Sequence, residues 1–299
     1  MFCGTVPPLE SEEDEMFFGR LFALFAALAS SGTPVFARML YEAGWSPWQV
    51  IGARFAIGFF ALAIWLRRDL LLVRRDWRGS MVVMASMTVG MAAYVFSVSR
   101  CSMGTAVSLV YLAPAWVTTY QRMRGTPERY DILATAMLLL GVACVVGPGG
   151  NGDTWPGIAA AALAGLMNAA FTIAGTRATR SVPPPVIACV GMFAGMLTFG
   201  WTLADAPWTL ASAPPAVGMG IVSGAGMVAL GMLAFKRIGT EARMWFPFDL
   251  VVVWIVQTIL QRHVPHPVTL VGATLILSAA LLLAYGTRKP VASKSRSSS

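Results

Sequence analysis

The chain alternates apolar blocks, each about 20 residues long, with short breaks rich in glycine, proline or charge. Blocks of that length match the hydrocarbon thickness of a bilayer when coiled as helices. The pattern predicts ten spans, at 17–37, 47–66, 79–99, 104–122, 131–148, 156–176, 184–204, 214–235, 243–261 and 267–286. The breaks between them include Gly44 to Pro47, Arg67 to Arg78, Gly147 to Gly150, Pro183-Pro184-Pro185 and Pro214-Pro215. Spans three and four are the hardest to divide, because only Arg100 to Gly104 separates them.

The array reads twice. Residues 19–55 align with 157–193 without a gap, so that Gly19 falls on Gly157 and Ile51 to Phe55 fall on Cys189 to Phe193. A second match, Ala134-Thr135 on Ala273-Thr274, lies one position out of that register. Five spans per half is an odd number, so the second half enters the membrane in the opposite sense, the inverted-repeat plan of secondary transporters. The expected fold is therefore an all-α integral membrane protein of ten helices in two inverted five-helix repeats. It divides into an acidic N-terminal segment at 1–16, repeats at 17–148 and 156–286, and a basic, disordered tail at 287–299.

Composition agrees with that plan. Of 299 residues, 57% are hydrophobic and 12% charged, about half the charge of a soluble domain, and the spans leave no room for a separate soluble domain. The net charge of +8 does not imply nucleic acid, because the bases gather in alternate loops. One set holds Arg67, Arg68, Arg74, Arg75 and Arg78, then Arg122, Arg124 and Arg129, then Arg177 and Arg180, then Lys236 and Arg237, and finally the tail. The intervening loops hold few. That asymmetry places the basic loops and both termini in the cytoplasm, in a plasma or inner membrane. Trp45, Trp48, Trp155 and Trp208 fall at outer ends and Trp65 and Trp77 at inner ends, as an aromatic belt requires. The acidic start (Glu10, Glu12, Glu13, Asp14, Glu15) is not a signal peptide, so the first span is expected to remain.

Two charges lie deep. Arg54 sits about 12 Å into span two at 1.5 Å per residue, where a cation must face protein or water. It is either an anion contact or a clamp between spans, and the repeat places apolar Met192 at its counterpart. Asp249 follows Phe246-Pro247-Phe248 in span nine, beside the carbonyl that Pro247 frees. It is a candidate for a substrate ammonium or a coupling proton, or a partner of Arg54 or Arg243. Glu241 and Arg243 lie near the inner mouth. In span four, Ser108 and Tyr111 share a face with Thr105 above the kink at Pro114. Tyr94, Ser97, Asn168 and Trp245 complete the candidate substrate contacts, with Ser30, Ser31, Thr33 and Thr172 as similar polar residues; Asn168 aligns with Ser30 across the repeat. Gly191 and Gly195, then Gly220 and Gly224, are small-residue faces for close packing. Met81, Met84, Met87 and Met91 are expected to face lipid or fill the core, in preference to forming a flexible cavity wall.

Enzyme signatures are missing. Gly147 to Gly152 lacks the lysine of a phosphate loop, His263 and His266 lack further metal ligands, and the four cysteines (Cys3, Cys101, Cys144, Cys189) are scattered. No metal, cofactor or catalytic residue is expected.

Three stretches resemble the drug/metabolite transporter superfamily, EamA type: Ser46-Pro47 through Arg54-Phe55, Ser97 through Pro114-Ala115, and Val271-Gly272-Ala273 onward. The resemblance implies a cavity between the two halves and a cargo among amino acids and other small metabolites. Typical members carry Gly-Glu after spans four and nine, where this chain reads Arg124-Gly125, with Glu128 close by, and Arg262-His263, and Pro247 comes about a turn earlier than Pro114 would place it. The expected function is a secondary transporter, working outward, of a small polar metabolite. Its partners are that solute, the bilayer and a coupling proton. The alternative is a non-transporting membrane partner or sensor that retains the fold.

Overall fold

A computed structural model describes residues 12–66, 69–125, 130–149, 153–261 and 267–286. The bases Arg67, Arg68, Arg129 and Arg262, both histidines, Cys3 and the tail lie outside the described residues, as does the side chain of Arg243. Among the described residues there is no strand. The helices are α1 (Glu12–Glu42), α2 (Pro47–Leu66), α3 (Trp77–Val98), α4 (Met103–Val110), α5 (Ala113–Met123), α6 (Asp131–Gly149), α7 (Trp155–Ala178), α8 (Pro184–Phe199), α9 (Ala213–Gly220), α10 (Met227–Ile238), α11 (Phe248–Gln261) and α12 (Pro267–Gly286).

Six stretches are long and apolar enough to cross a membrane: Asp14–Glu42, Pro47–Leu66, Asp69–Val98, Trp155–Ala178, Pro184–Asp205 and Ala213–Ala242. Asp131–Val146 and Pro267–Leu283 are shorter apolar helices. Large apolar side chains such as Phe17, Phe60, Ile64, Leu140 and Leu197 stand on the outside, a surface suited to lipid rather than water. The first helix begins earlier than expected, at Glu12, so part of the acidic segment is helical.

Two of the predicted segments are not single helices. Residues 104–122 form α4 and α5, broken at Tyr111-Leu112, with Pro114 as the second residue of α5. Residues 243–261 begin in a 3-10 turn, Gly239–Trp245, and resume as α11 just after Pro247. A proline has no N–H and clashes with the preceding turn. At each place it therefore opens a new helix instead of continuing the old one. Each proline thus lies at a helix start, Pro114 as the second residue of α5 and Pro247 just before the first residue of α11. Between α9 and α10 the chain runs through a π-helical turn, Ile221–Gly226, which keeps the span continuous while widening its coil.

The most extensive contacts join α3 to α7, α6 to α12, α1 to α10 and α2 to α8. Lipid gives helices no hydrophobic reason to associate, so close backbone packing has to hold them. The glycines supply it. Gly195 abuts the Phe55 ring, Gly191 the Met87 sulfur, and Gly224 the Arg54 carbonyl. At the crossing of α6 and α12, a methyl on Gly141 would stand 2.6 Å from the Gly272 carbonyl oxygen, and one on Gly272 would stand 2.6 Å from that of Gly141.

At one end of the bundle the aromatic groups interlock. Trp45 packs edge-on to Trp208 at 4.8 Å, and Trp48 stacks on Phe199 at 5.9 Å. Trp48, Trp155 and Trp208 are exposed, as a belt requires, but Trp45 is buried, because its ring fills the joint between α1 and α2. At the same end Asp153 accepts from the Ser102 N–H and the Thr105 hydroxyl, each at 2.6 Å, and Thr154 binds the Arg100 carbonyl. This ties the start of α4 to the start of α7. Burial, with the Asp153 carboxylate adding to it, pushes the neighbouring Cys101 thiol above its ordinary range.

Gly141→Ala should destabilise the protein by about 1–3 kcal/mol through backbone overpacking. Gly231→Ala, whose methyl would meet only Phe246 at 3.5 Å, should be neutral or stabilising by about 0.5–1 kcal/mol. Thermal unfolding in detergent checks the opposite signs.

Candidate functional site

A cavity lies where six spans converge, with walls from α1, α3, α4, α7, α10 and the start of α11. Its polar wall is Ser30, Ser86, Tyr94, Tyr111, Asn168 and Asp249. Its apolar wall includes Met87, Met91, Phe171, Met227 and Phe246. The space open to the centres of water-sized spheres is about 30 Å³, room for about two waters. A metabolite therefore needs the wall to move, and thioether side chains are the pliable part of it.

Each polar member is positioned by its local chain. Tyr111 caps α4 at the break, in a non-helical conformation (φ −76°, ψ 6°). At the same break the Leu109 carbonyl passes so close to Gly165 of α7 that a methyl there would stand 2.8 Å from its oxygen, and only glycine admits it without a shift. Asp249 is the second residue of α11, where free N–H groups of the first turn favour a negative charge. It is nearly fully buried, accepts a hydrogen bond from Ser30, and keeps Oδ1 without a partner. Ser30 and Asn168, equivalent across the sequence repeat, both reach the cavity.

Four of the eight expected contacts line this cavity: Tyr94, Tyr111, Asn168 and Asp249. The others sit behind the wall. Ser97 donates to the Tyr94 carbonyl at 2.7 Å in its own helix, and Ser108 is fully buried with its hydroxyl unpartnered. Trp245 stacks on Phe248 at 5.8 Å, its Nε1 buried without a partner.

Arg54 is fully buried and meets no carboxylate. Its Nη1 donates to the Thr33 hydroxyl at 2.7 Å and approaches the Met219 sulfur at 3.8 Å; Nη2 lies 3.3 Å from the Met227 sulfur; Nε has no partner. It therefore joins α1, α2 and the α9–α10 span. Met227 also lines the cavity, so a single thioether stands between the guanidinium and the cavity. Tyr94 lies within electrostatic reach of both Arg54 and Asp249. Among the secondary candidates, Thr105 binds Asp153, Thr172 binds the Asn168 carbonyl, and Glu241 pairs with Arg20 at 2.9 Å.

The sequence reading missed Ser86, Met87, Gly90, Met91 and Met227. The methionines of α3 do not behave alike: Met81 is exposed, whereas Met87 and Met91 form cavity wall. Counting back from Tyr94 in steps of three, four, seven and eight gives Met91, Gly90, Met87 and Ser86, one helix face. That periodicity was the available signal. Among the described residues no three His, Cys, Asp or Glu side chains are grouped to hold a metal.

Toward the end where Arg177, Arg180 and Lys236 gather, a small apolar layer of Ala113, Val117, Ala169 and Ile173 closes the gap between α5 and α7. Beyond it opens a wider cavity, of about 430 Å³, between the ends of α5 and α7 and the turn at Gly239–Glu241.

Comparison with known proteins adds the family. Residues 17–147 match the model of the EamA-like transporter family. No curated protein matches the sequence significantly. A crystal structure of another protein superposes with a TM-score of 0.66 at 20% identity, covering 93% of this chain and 99% of that one, so the two share a fold along nearly their whole length. Over residues 17–147 the chain is thus similar to the EamA-like transporter family of the drug/metabolite transporter superfamily, and that match with the succession of long apolar helices points to a multi-pass integral membrane protein.

Proposed function

We propose that the protein is a secondary transporter that exports a small polar metabolite, such as an amino acid, across the plasma or inner membrane by alternating access of two inverted halves, residues 17–148 and 156–286. The observation that carries this reading is Asp249, a buried carboxylate with an unpartnered oxygen facing a cavity that both halves line. A non-transporting relative has no need to keep a charge desolvated at that cost. The polar lining favours transport over a partner or sensor role.

The inverted arrangement is supported by the helix contacts. Number α4–α5 as one span and α9–α10 as another, and exchange spans one to five with six to ten. Then α3·α7 becomes α10·α1, and α2·α9 becomes α8·α3, while α2·α8 and α6·α12 map onto themselves; all of these contacts occur. The excess of bases in alternate loops supports a cytoplasmic position for the end that bears them and for both termini.

In this mechanism Asp249 takes the ammonium of the cargo or, between cargo molecules, the coupling proton. Tyr94, Tyr111, Ser30 and Asn168 supply the remaining hydrogen bonds. Arg54 takes an acidic group of the cargo when the Met227 side chain swings aside, and otherwise clamps α1 and α2 to the α9–α10 span. The cavity is closed on one side by the Asp153–Thr105 tie and on the other by the thin layer around Val117 and Ile173.

Transport into vesicles under an imposed pH gradient tests the role of Asp249. Asp249→Asn should lose the dependence on the gradient and slow transport by about tenfold or more, the effect of about 1.4 kcal/mol from one charge-assisted contact; unchanged gradient dependence removes the proton role. For Arg54, cells expressing the chain should be rescued from a toxic solute, and Arg54→Met, expressed to the same level in the membrane, should lose that rescue. Equal rescue would make Arg54 a structural clamp only.

A further inference from the structure

We propose that the 430 Å³ cavity at the basic end is a binding site for a small anion with carboxylate or phosphate oxygens. Its volume is in the range of small-molecule sites. Its walls come from the ends of α5 and α7 and from the chain at Ile238–Glu241. The site therefore has sides, unlike the loop bearing Arg74 and Arg75, where bases merely face outward.

The charges in it do not cancel. Arg177 and Arg180 line the cavity, and among the described residues the one carboxylate that also lines it, Glu241, is already matched by Arg20 at 2.9 Å. Arg180 makes no ion pair among the described residues. Arg177 is held in place: it donates to the Tyr120 hydroxyl and lies 5.7 Å from the centre of that ring, while Arg124 lies 5.4 Å from the same centre. A tyrosine braced by two guanidiniums orients the planar fork of Arg177 in advance. One Nη2 bond to a phenol leaves the other guanidinium donors for an acceptor in the cavity. Thr176 lines the same cavity, and its hydroxyl is buried at the wall without a hydrogen-bond partner, a donor that an anion oxygen reaching it would satisfy. Two cations and an unused hydroxyl, with no free carboxylate among the described lining residues, select an oxyanion over an amine.

The site lies on the other side of the Val117–Ile173 layer from the Asp249 cavity. Binding here requires neither cargo movement nor Asp249, so the proposal goes beyond the transport reading and rests on it only if the anion is itself the cargo. In that case the site is where cargo waits before the layer opens.

The test is the thermal stability of the purified full chain in phosphatidylcholine nanodiscs, titrated with inorganic phosphate at constant ionic strength. A saturable rise in Tm is expected. In the Arg177→Gln/Arg180→Gln double variant, half-saturation should move up by about tenfold or more, and in Arg78→Gln, which lies over Trp77 away from the cavity, it should stay unchanged. General salting by phosphate acts on all variants alike and does not saturate. Should the double variant fail to fold, Thr176→Val, which keeps both cations, should weaken the same response. No saturable rise, or an equal one in Arg177→Gln/Arg180→Gln or Thr176→Val, overturns the proposal. Stabilisation by nanodiscs containing phosphatidylglycerol, with none by phosphate, also overturns it, since the site would then belong to lipid headgroups.

Discussion

Within a bilayer a backbone carbonyl or N–H without a partner costs several kcal/mol, so a spanning helix can be interrupted only where protein or water meets the freed groups. The architecture here follows from where that happens. The chain breaks at Tyr111-Leu112 and again at Phe246-Pro247, and α4 packs against α11. The interruptions thus face a common interior, and the cavity forms between them. Tyr111 is displayed by one break and Asp249 by the other. Around that interior the unbroken helices pack through glycine, as at Gly141 and Gly272, because in lipid only close van der Waals contact holds such a shell together.

Charge placement obeys the same constraint. Arg54 and Asp249 are both buried, yet they form no ion pair with each other. Arg54 is satisfied in part by Thr33 and by two polarizable sulfurs, and Asp249 by Ser30. Each keeps an unused valence, Nε on one and Oδ1 on the other. A zwitterionic solute could satisfy both at once. A direct salt bridge would quench both and leave the cavity without polar purchase.

The six long apolar stretches were legible because hydropathy over 20 residues measures membrane thickness directly. The breaks were legible too, since Pro114 and Pro247 cannot continue a helix. Asp249, Tyr94, Tyr111 and Asn168 were legible as polar groups in apolar runs. Other features were hidden for physical reasons. Met87, Met91 and Met227 are apolar, and hydropathy cannot tell a lipid-facing thioether from one lining a cavity. Trp45 has the composition of an interfacial residue but is buried by Trp208, a contact some 160 positions away in sequence. Ser108 and Trp245 lie on suitable spans, but Ser108 is buried away from the cavity and the Trp245 ring packs on Phe248.

The central claim is that the six-span cavity is the solute path, open alternately to either side. Ser86 lines that cavity and bonds only the carbonyls of its own helix, Val82 at 2.7 Å and Val83 at 3.2 Å, so Ser86→Cys should fold in a background freed of the native cysteines. The decisive measurement is labelling of that thiol by a membrane-impermeant methanethiosulfonate in vesicles of each orientation. The account predicts reaction from both sides of the membrane. A thiol that reacts from neither side, or from one side alone under every gradient applied, would contradict it.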